Sequence, residues 1–272
     1  MKEKTIQSTS NIMVKKAATL HLRKHRKKSQ QFLLEGIYGI KDALKNPSSI
    51  ECVFYEEKIK CSTDGKSLIQ RLEDEKINTL HVTEVVMKKI ADTSTPQGIV
   101  AIVSMPVHEV KQVLENSAYV LILDAIQDPG NMGTLIRSAD AAGFDAVVLT
   151  AGCTDPYSSK CIRAATGAML FLPVVEAPSF REILSIMEAQ EYQILGAALQ
   201  NGIPYTQVNY RTPTALIIGN ESKGIRPDIL TEVHQTVTIP MLGKTQSVNA
   251  AIAGSILMFH LSASCRKTET ML

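Results

Sequence analysis

The sequence predicts an α/β protein of two domains, the second built on a mainly parallel sheet. Three observations carry this expectation. In the C-terminal half, short apolar runs alternate with stretches of helical periodicity, the pattern of strand–helix–strand units. Two of those runs, 119–123 (Tyr-Val-Leu-Ile-Leu) and 215–218 (Ala-Leu-Ile-Ile), are apolar at consecutive positions, as strands covered on both faces are. Charge is also segregated. Residues 1–31 hold nine Lys or Arg against Glu3 alone, +8, and the rest of the 272 residues sums to −6.

In chain order, residues 11–28 read as a basic helix with Ile12, Ala17 and Leu20 as apolar contacts. Residues 31–35 read as a strand, and 36–45 as a helix stopped by Asn46-Pro47. A strand at 50–55, a helix at 66–74, a short strand at 79–82 and a helix at 84–91 capped by Thr83 follow. Thr95-Pro96-Gln97-Gly98 fits a turn before a β-branched strand at 99–104. Residues 1–105 thus form one α/β domain, and 106–117, with a proline and several charges, the linker. In the second domain, 118–272, strands are expected at 119–123, 146–150, 171–176, 193–199, 215–219 and 236–240. Helices are expected at 133–142, 158–165, 179–189, after Pro227, and at 248–261. The last is apolar nearly all round and is expected to be mostly buried.

Composition narrows the function. No apolar run approaches the roughly 18–20 residues of a membrane span. The polar start Met1-Lys2-Glu3-Lys4 lacks the core of a secretory signal. Five cysteines without a Cys-x-x-Cys pair point to reduced thiols in the cytoplasm and to no metal site. The absence of Trp, with 7 Tyr and 6 Phe, speaks against a surface that binds single strands by stacking. The basic N-terminus suits a polyanion, although a solvated tail would look the same from charge alone.

Three segments of the second domain carry chemistry. The first runs from Leu123 through Asp128-Pro129-Gly130-Asn131 into a helix bearing Arg137; Asn131 is placed to cap that helix. Ligands of parallel sheets sit at such strand ends, but Gly130-Asn-Met-Gly133 is not a full dinucleotide fingerprint. In the second, 216–225, the Gly219–Gly224 spacing fits a phosphate loop, but Ile225-Arg226 stands where Lys-Ser/Thr is required, so a Walker-type NTPase is rejected. The third runs from Ile239-Pro240-Met241-Leu242 to Ser247-Val248-Asn249 at the start of the last helix. Ser247 suits the N-cap, and Asn249 needs partners in a buried turn.

In this order the segments resemble the three motifs of the SpoU/TrmH family of RNA ribose methyltransferases, over residues 118–265. The family's Ser-Leu-Asn stands here as Ser247-Val248-Asn249. The first half resembles the ribosomal-protein-like RNA-binding domain of many members, through Asn11 with Lys15, residues 32–36 and residues 95–99. The resemblance implies S-adenosylmethionine as cofactor, RNA as substrate, a homodimer, and a trefoil knot in the parallel sheet. It implies catalytic roles for Asn131, Arg137, Glu221, Ser247 and Asn249, with no metal. Cofactor contacts are implied for Leu216, Ile218, Gly219, Asn220 and Gly224, and for Ile239, Pro240, Met241, Leu242, Ser247, Val248 and Asn249. RNA contacts are expected from Asn11, Lys15, Arg23, Lys24, Arg26, Lys27 and Lys28. A guanidinium stays charged at ordinary pH, so Arg137 is read as a phosphate clamp that stabilises the incipient alkoxide. Large-subunit rRNA is the expected substrate; tRNA, or a non-catalytic RNA-binding protein on the same fold, are the alternatives.

Overall fold

A computed structural model describes residues 5–177, 179–199 and 201–269. In chain order its elements begin with α1 (Ile12–Thr19), α2 (Arg23–Ser29), β1 (Gln31–Glu35), α3 (Ile37–Ala43), β2 (Ile50–Tyr55), α4 (Thr63–Asp74), β3 (Thr79–His81), α5 (Glu84–Ile90) and β4 (Ile99–Ser104). They continue with α6 (Val110–Glu115), β5 (Tyr119–Leu123), α7 (Pro129–Ala142), β6 (Ala146–Leu149), α8 (Ser159–Ala165), β7 (Val174–Glu176), α9 (Phe180–Ala189) and β8 (Gln193–Ala197). The chain closes with β9 (Ile203–Pro204), β10 (Thr214–Ile218), α10 (Pro227–Leu230), β11 (Gln235–Thr238) and α11 (Ala250–Glu269). Two compact units result: Met1–Pro106 with Tyr157–Leu170, and Val107–Pro156 with Phe171–Leu272.

The first unit has a four-stranded sheet in the order β1-β4-β2-β3. Strand β4 pairs antiparallel with both β1 and β2, and β3 adds in parallel to β2. Because side chains alternate across a strand, β4 feeds two cores. Ile99, Ala101 and Val103 join Phe32, Val53, Leu68 and Leu72 on one face, while Val100 and Ile102 join Val14, Phe54, Val86 and Met87 on the other. The expected helix 11–28 is two helices. At the break, buried Arg26 donates through Nη1 to the carbonyls of Leu20 (2.7 Å) and His21 (2.8 Å), satisfying groups that a helix end leaves open. The segment Tyr157–Leu170, expected in the second domain, is part of this unit. Ile162 of α8 joins the core of Phe32, Tyr157 packs on the Phe32 ring (5.2 Å between centroids), and Arg163 pairs with Asp92 at 2.6 Å.

The second unit is a seven-stranded parallel sheet in the order β7-β6-β5-β10-β8-β11-β9. Helices α6 and α9 cover one face, where Leu114, Ile183 and Met187 pack on Val120, Ile122, Ile194 and Ile217. The expected linker is therefore not one: α6 lies inside it and buries Leu114 to 1% exposure. On the other face α7 and α11 lie against each other. Their approach is close enough that a Cβ on Gly254 would come within 2.4 Å of Leu135. Ser138 and Ser255 share a hydrogen bond of 2.7 Å across the same seam.

Four further expectations are corrected. Helix α7 starts at Pro129 behind an Asp128 cap, since the Asp128 carboxylate accepts the Asn131 N–H at 2.8 Å. Helix α11 starts at Ala250 and is capped by Asn249, not Ser247; the Asn249 Oδ1 accepts from Ala251 N–H at 2.8 Å and Ile252 N–H at 3.3 Å. The strand expected at 171–176 is only Val174–Glu176, and the two-residue β9 had no periodicity to reveal it. Helix α11 is not covered all round: Ile252, Ile256 and Phe259 are 53%, 37% and 50% exposed.

Candidate active site

At the C-terminal edge of the parallel sheet three loops meet: 124–128 after β5, 219–226 after β10, and 239–249 after β11. Strand β10 is central, and Ile218 stands opposite Leu123 in register, so the first two loops leave the sheet side by side. Gly219 opens the second loop because its ends nearly touch. A Cβ there would come within 2.2 Å of Gly224 and Ile225, and Asn220 and Gly224 exchange backbone hydrogen bonds of 2.9 and 3.0 Å. The Asn220 side chain stitches the turn, accepting from the Ser222 and Lys223 N–H groups at 3.0 and 3.1 Å and donating to the Ala125 carbonyl at 2.8 Å.

One hydrogen-bonded chain joins all three loops. The Glu221 carboxylate accepts from the Asp128 N–H at 3.2 Å and from Asn131 Nδ2 at 3.0 Å. Asn131 Oδ1 accepts from Asn249 Nδ2 at 2.9 Å. The direction follows from its ends, because an ionised carboxylate only accepts and the Asn249 oxygen is occupied by the α11 cap. Partial burial works against the charge on Glu221. Hydrogen bonds from Asn131 and from the backbone of Glu221, Asp128 and Gln127 outweigh it, and hold this carboxyl below the usual carboxylate range.

Beside this chain lies a cleft of about 340 Å³. Its walls are the 219–225 loop, Ile239 and Met241 with Gln246, Ser247 and Val248, and the first turns of α11. Small residues (Ala197, Ala250, Ala253) and apolar ones (Leu199, Ile218, Leu257) leave room for a flat, partly apolar ligand flanked by backbone polar groups. S-adenosylmethionine, with an adenine, a ribose and a charged amino-acid end, fits such a lining. Of the expected cofactor residues, Ile218, Gly219, Asn220, Gly224, Ile239, Met241, Ser247 and Val248 line the cleft. Leu216 is enclosed in the sheet, Leu242 is 99% exposed, and Pro240 and Asn249 stand outside the lining. The end of β8, residues 197–199, is a wall that sequence reading missed; an Ala-Ala-Leu run carries no signal beyond a strand end. Arg137 is exposed on α7 and is not part of the lining. Cys153, after β6, donates to the Leu123 carbonyl at 3.2 Å, and burial pushes its thiol up to about 11, which removes it as a nucleophile at neutral pH.

In the first unit Lys15, Arg23, Lys24, Lys27 and Lys28 are exposed. Two residues depart from the RNA-contact expectation. Arg26 is turned inward, 6% exposed, and Asn11 spends its side chain capping α1, accepting from the Met13 N–H at 2.9 Å. The segments 32–36 and 95–99 do meet: Gly36 N–H donates to the Ile99 carbonyl at 3.1 Å and Ile37 N–H to Gln97 Oε1 at 3.2 Å.

The profile of the SpoU rRNA methylase family matches residues 118–259, just over half of the chain. The chain belongs to the SpoU rRNA methylase family. Residues 11–101 match the MRM3-like substrate binding domain, so both units of this family member have a counterpart. The 23S rRNA (guanosine(2553)-2′-O)-methyltransferase RlmP of Bacillus subtilis is 36% identical over 95% of this chain and 99% of its own. The 23S rRNA (uridine(2479)-2′-O)-methyltransferase of Streptomyces viridochromogenes is 28% identical over 89% and 86%. Among solved structures, the AdoMet-bound rRNA methyltransferase of Sinorhizobium meliloti superposes with a TM-score of 0.83 at 28% identity, covering 96% of this chain and 97% of that one. Among the described residues, no group of three or more His, Cys, Asp or Glu is placed to hold a metal ion.

Proposed function

We propose that this protein transfers the methyl group of S-adenosylmethionine to a ribose 2′-hydroxyl in large-subunit (23S) rRNA. The observation that carries the reading is the convergence of three separate loops on one cleft, tied by the Glu221–Asn131–Asn249 chain. Whole-length similarity to two 23S rRNA 2′-O-methyltransferases supports the substrate class. Bound S-adenosylmethionine supplies an electrophilic methyl group on a sulfonium. The protein's own work is to align the 2′-hydroxyl and to stabilise the charge that grows on its oxygen. Arg137 does this as a fixed cation that clamps the neighbouring phosphate. Asn131 and Asn249 position the reacting groups, Ser247 faces the cleft, and Glu221 holds the 219–225 loop to the start of α7. The exposed cations Lys15, Arg23, Lys24, Lys27 and Lys28 are the RNA-binding surface of this reading.

The same reading includes a homodimer, a trefoil knot in the second unit and a cytoplasmic location. Support for the dimer comes from α11. Ile252, Ile256 and Phe259 recur at helical spacing on one side and stay 37–53% exposed, an apolar stripe of the sort that oligomers cover. The test is methyl transfer from labelled S-adenosylmethionine to purified 23S rRNA, 16S rRNA and tRNA, with ribose-methylation mapping and Arg137→Ala as control. A mapped 2′-O-methyl in 23S rRNA that disappears in Arg137→Ala is expected. A base methylation, or full transfer by the variant, would sink the reading.

A further inference from the structure

Asp124 is a carboxylate with no solvent exposure, one residue past the end of β5 and outside the chain that links Glu221 to Asn249. A carboxylate in such a place is costly unless both of its oxygens find donors. Here they do. Thr150 Oγ1, just past β6, donates to Oδ1 at 2.7 Å. Arg226 Nε donates to Oδ1 at 2.9 Å and the Arg226 backbone N–H to Oδ2 at 2.8 Å.

The partners are informative because of where they stand in the chain. Arg226 is the residue at which the 219–225 loop ends and α10 begins. The backbone N–H of Asp124 itself donates to the carbonyl of Ile218 at 2.9 Å, the residue at which that loop begins. One residue therefore grips both ends of the loop. The next residue adds a third tie, since the Ala125 carbonyl accepts from Asn220 inside the loop at 2.8 Å. Ala125 pays for this with a left-handed backbone, φ +53°, which a residue bearing a Cβ keeps only where its surroundings over-determine it. Arg226 keeps 38% of its side chain exposed, so its charge alone has no need of a buried partner. What the pair achieves is geometry: the ends of the loop cannot part while both bonds hold.

We propose that Asp124 is a positioning residue for the methyl-donor site, clamping the loop 219–225 in its binding shape through Arg226 and the Ile218 carbonyl. It touches neither donor nor RNA and acts through the loop. The inference rests on the reading that this loop holds the donor, and the experiment separates the two. Donor binding by calorimetry, melting temperature and steady-state kinetics would be measured for the full-length protein and for Asp124→Asn, Arg226→Lys and the double variant. Gly219→Val would report on the cleft itself. Asn is isosteric but presents an N–H group where Asp124 accepts, so the clamp loosens while the packing stays. Asp124→Asn is expected to raise the donor Kd and KM by about tenfold, with kcat at saturating donor within about twofold, as loss of preorganisation rather than of chemistry requires. Arg226→Lys, which leaves the backbone bond in place, is expected to raise Kd by about threefold, and the double variant to fall short of the product of the two because both act on one clamp. Donor affinity within twofold of wild type in both single variants, alongside a loss in Gly219→Val, overturns the clamp and leaves the donor site standing. Unchanged affinity in Gly219→Val instead overturns the donor reading of the loop. Should Asp124→Asn melt too early to assay, Arg226→Lys decides the matter alone.

Discussion

The amide of Asn131 has one acceptor end and one donor end, and the structure leaves neither free to swap. Its nitrogen faces the Glu221 carboxylate and its oxygen faces Asn249, whose own oxygen is held by the α11 cap. Glu221 is the acceptor that gives the chain its direction. Glu221→Gln would put its NH2 group either opposite the Asp128 N–H and Asn131 Nδ2, which share one carboxylate oxygen, or opposite the Gln127 N–H and Asn220 Nδ2, which share the other. Either way donors lose their acceptor, at a cost of about 1–3 kcal/mol. The expected outcome is a donor affinity weakened by about tenfold, read by calorimetry, with the ordinary fold by circular dichroism. The pH dependence follows from the depressed carboxyl of Glu221. A group whose native pKa is lowered contributes stability that is complete above its unfolded value and is lost as pH falls through the native one. In wild type, donor affinity should therefore be flat from pH 6 to 8 as far as this group is concerned, and should fall only in acid below the ordinary carboxylate range. At this scale the sequence was readable for residue identity and spacing. It was unreadable for the division of labour: Asn131, Ser247 and Asn249 are all competent caps, and only the start of each helix decides which one caps. Arg26 was opaque for a similar reason, because nothing in a run of Lys and Arg marks the one that turns inward to bind carbonyls.

Helix α11 shows what an element's own sequence conceals. Its small residues announce close packing, and Gly254 against Leu135 is that packing. Its large residues announce burial, yet Ile252, Ile256 and Phe259 face outward. Hydrophobicity says that a surface avoids water; it does not say whether the cover comes from the same chain. In the proposed homodimer these side chains are covered by a second copy. Phe259→Asp should then shift the protein from dimer to monomer in light scattering while its far-ultraviolet circular dichroism is retained. A wild type that is monomeric at micromolar concentration would refute the dimer outright. Strands were the most legible elements, since β5 and β10 are buried at every position and could be nothing but interior strands of a parallel sheet. Two short elements without a clear period, α6 with 6 residues and β9 with 2, fall below the length at which periodicity speaks.

Over the whole molecule, charge and chemistry are segregated. The first 31 residues carry +8 and the rest −6, while the donor cleft lies in the second unit. Phosphate contacts release counterions, each adding about 0.7–0.9 to the slope of log K against log salt. Replacing Lys24, Lys27 and Lys28 together by Ala should weaken rRNA binding and lower that slope by about 2–3, measured by filter binding across a salt series, with donor affinity unchanged. Arg26→Ala should behave differently, lowering the melting temperature through the lost carbonyl bonds, as its inward position dictates. The two-domain outline was legible because composition changes along the chain. The true boundary was not: Tyr157–Leu170 has no charge or periodicity that assigns it to the unit that precedes it in sequence. That excursion has a consequence in time. When Ser104 leaves the ribosome every strand of the first sheet has been made, yet Phe32 still lacks Tyr157 and Ile162. At about 5–20 residues per second the missing piece takes roughly 3–13 s to arrive. Through that interval a nascent chain exposes one apolar wall of a nearly finished domain, and exchanging this domain between relatives takes three junctions, not one.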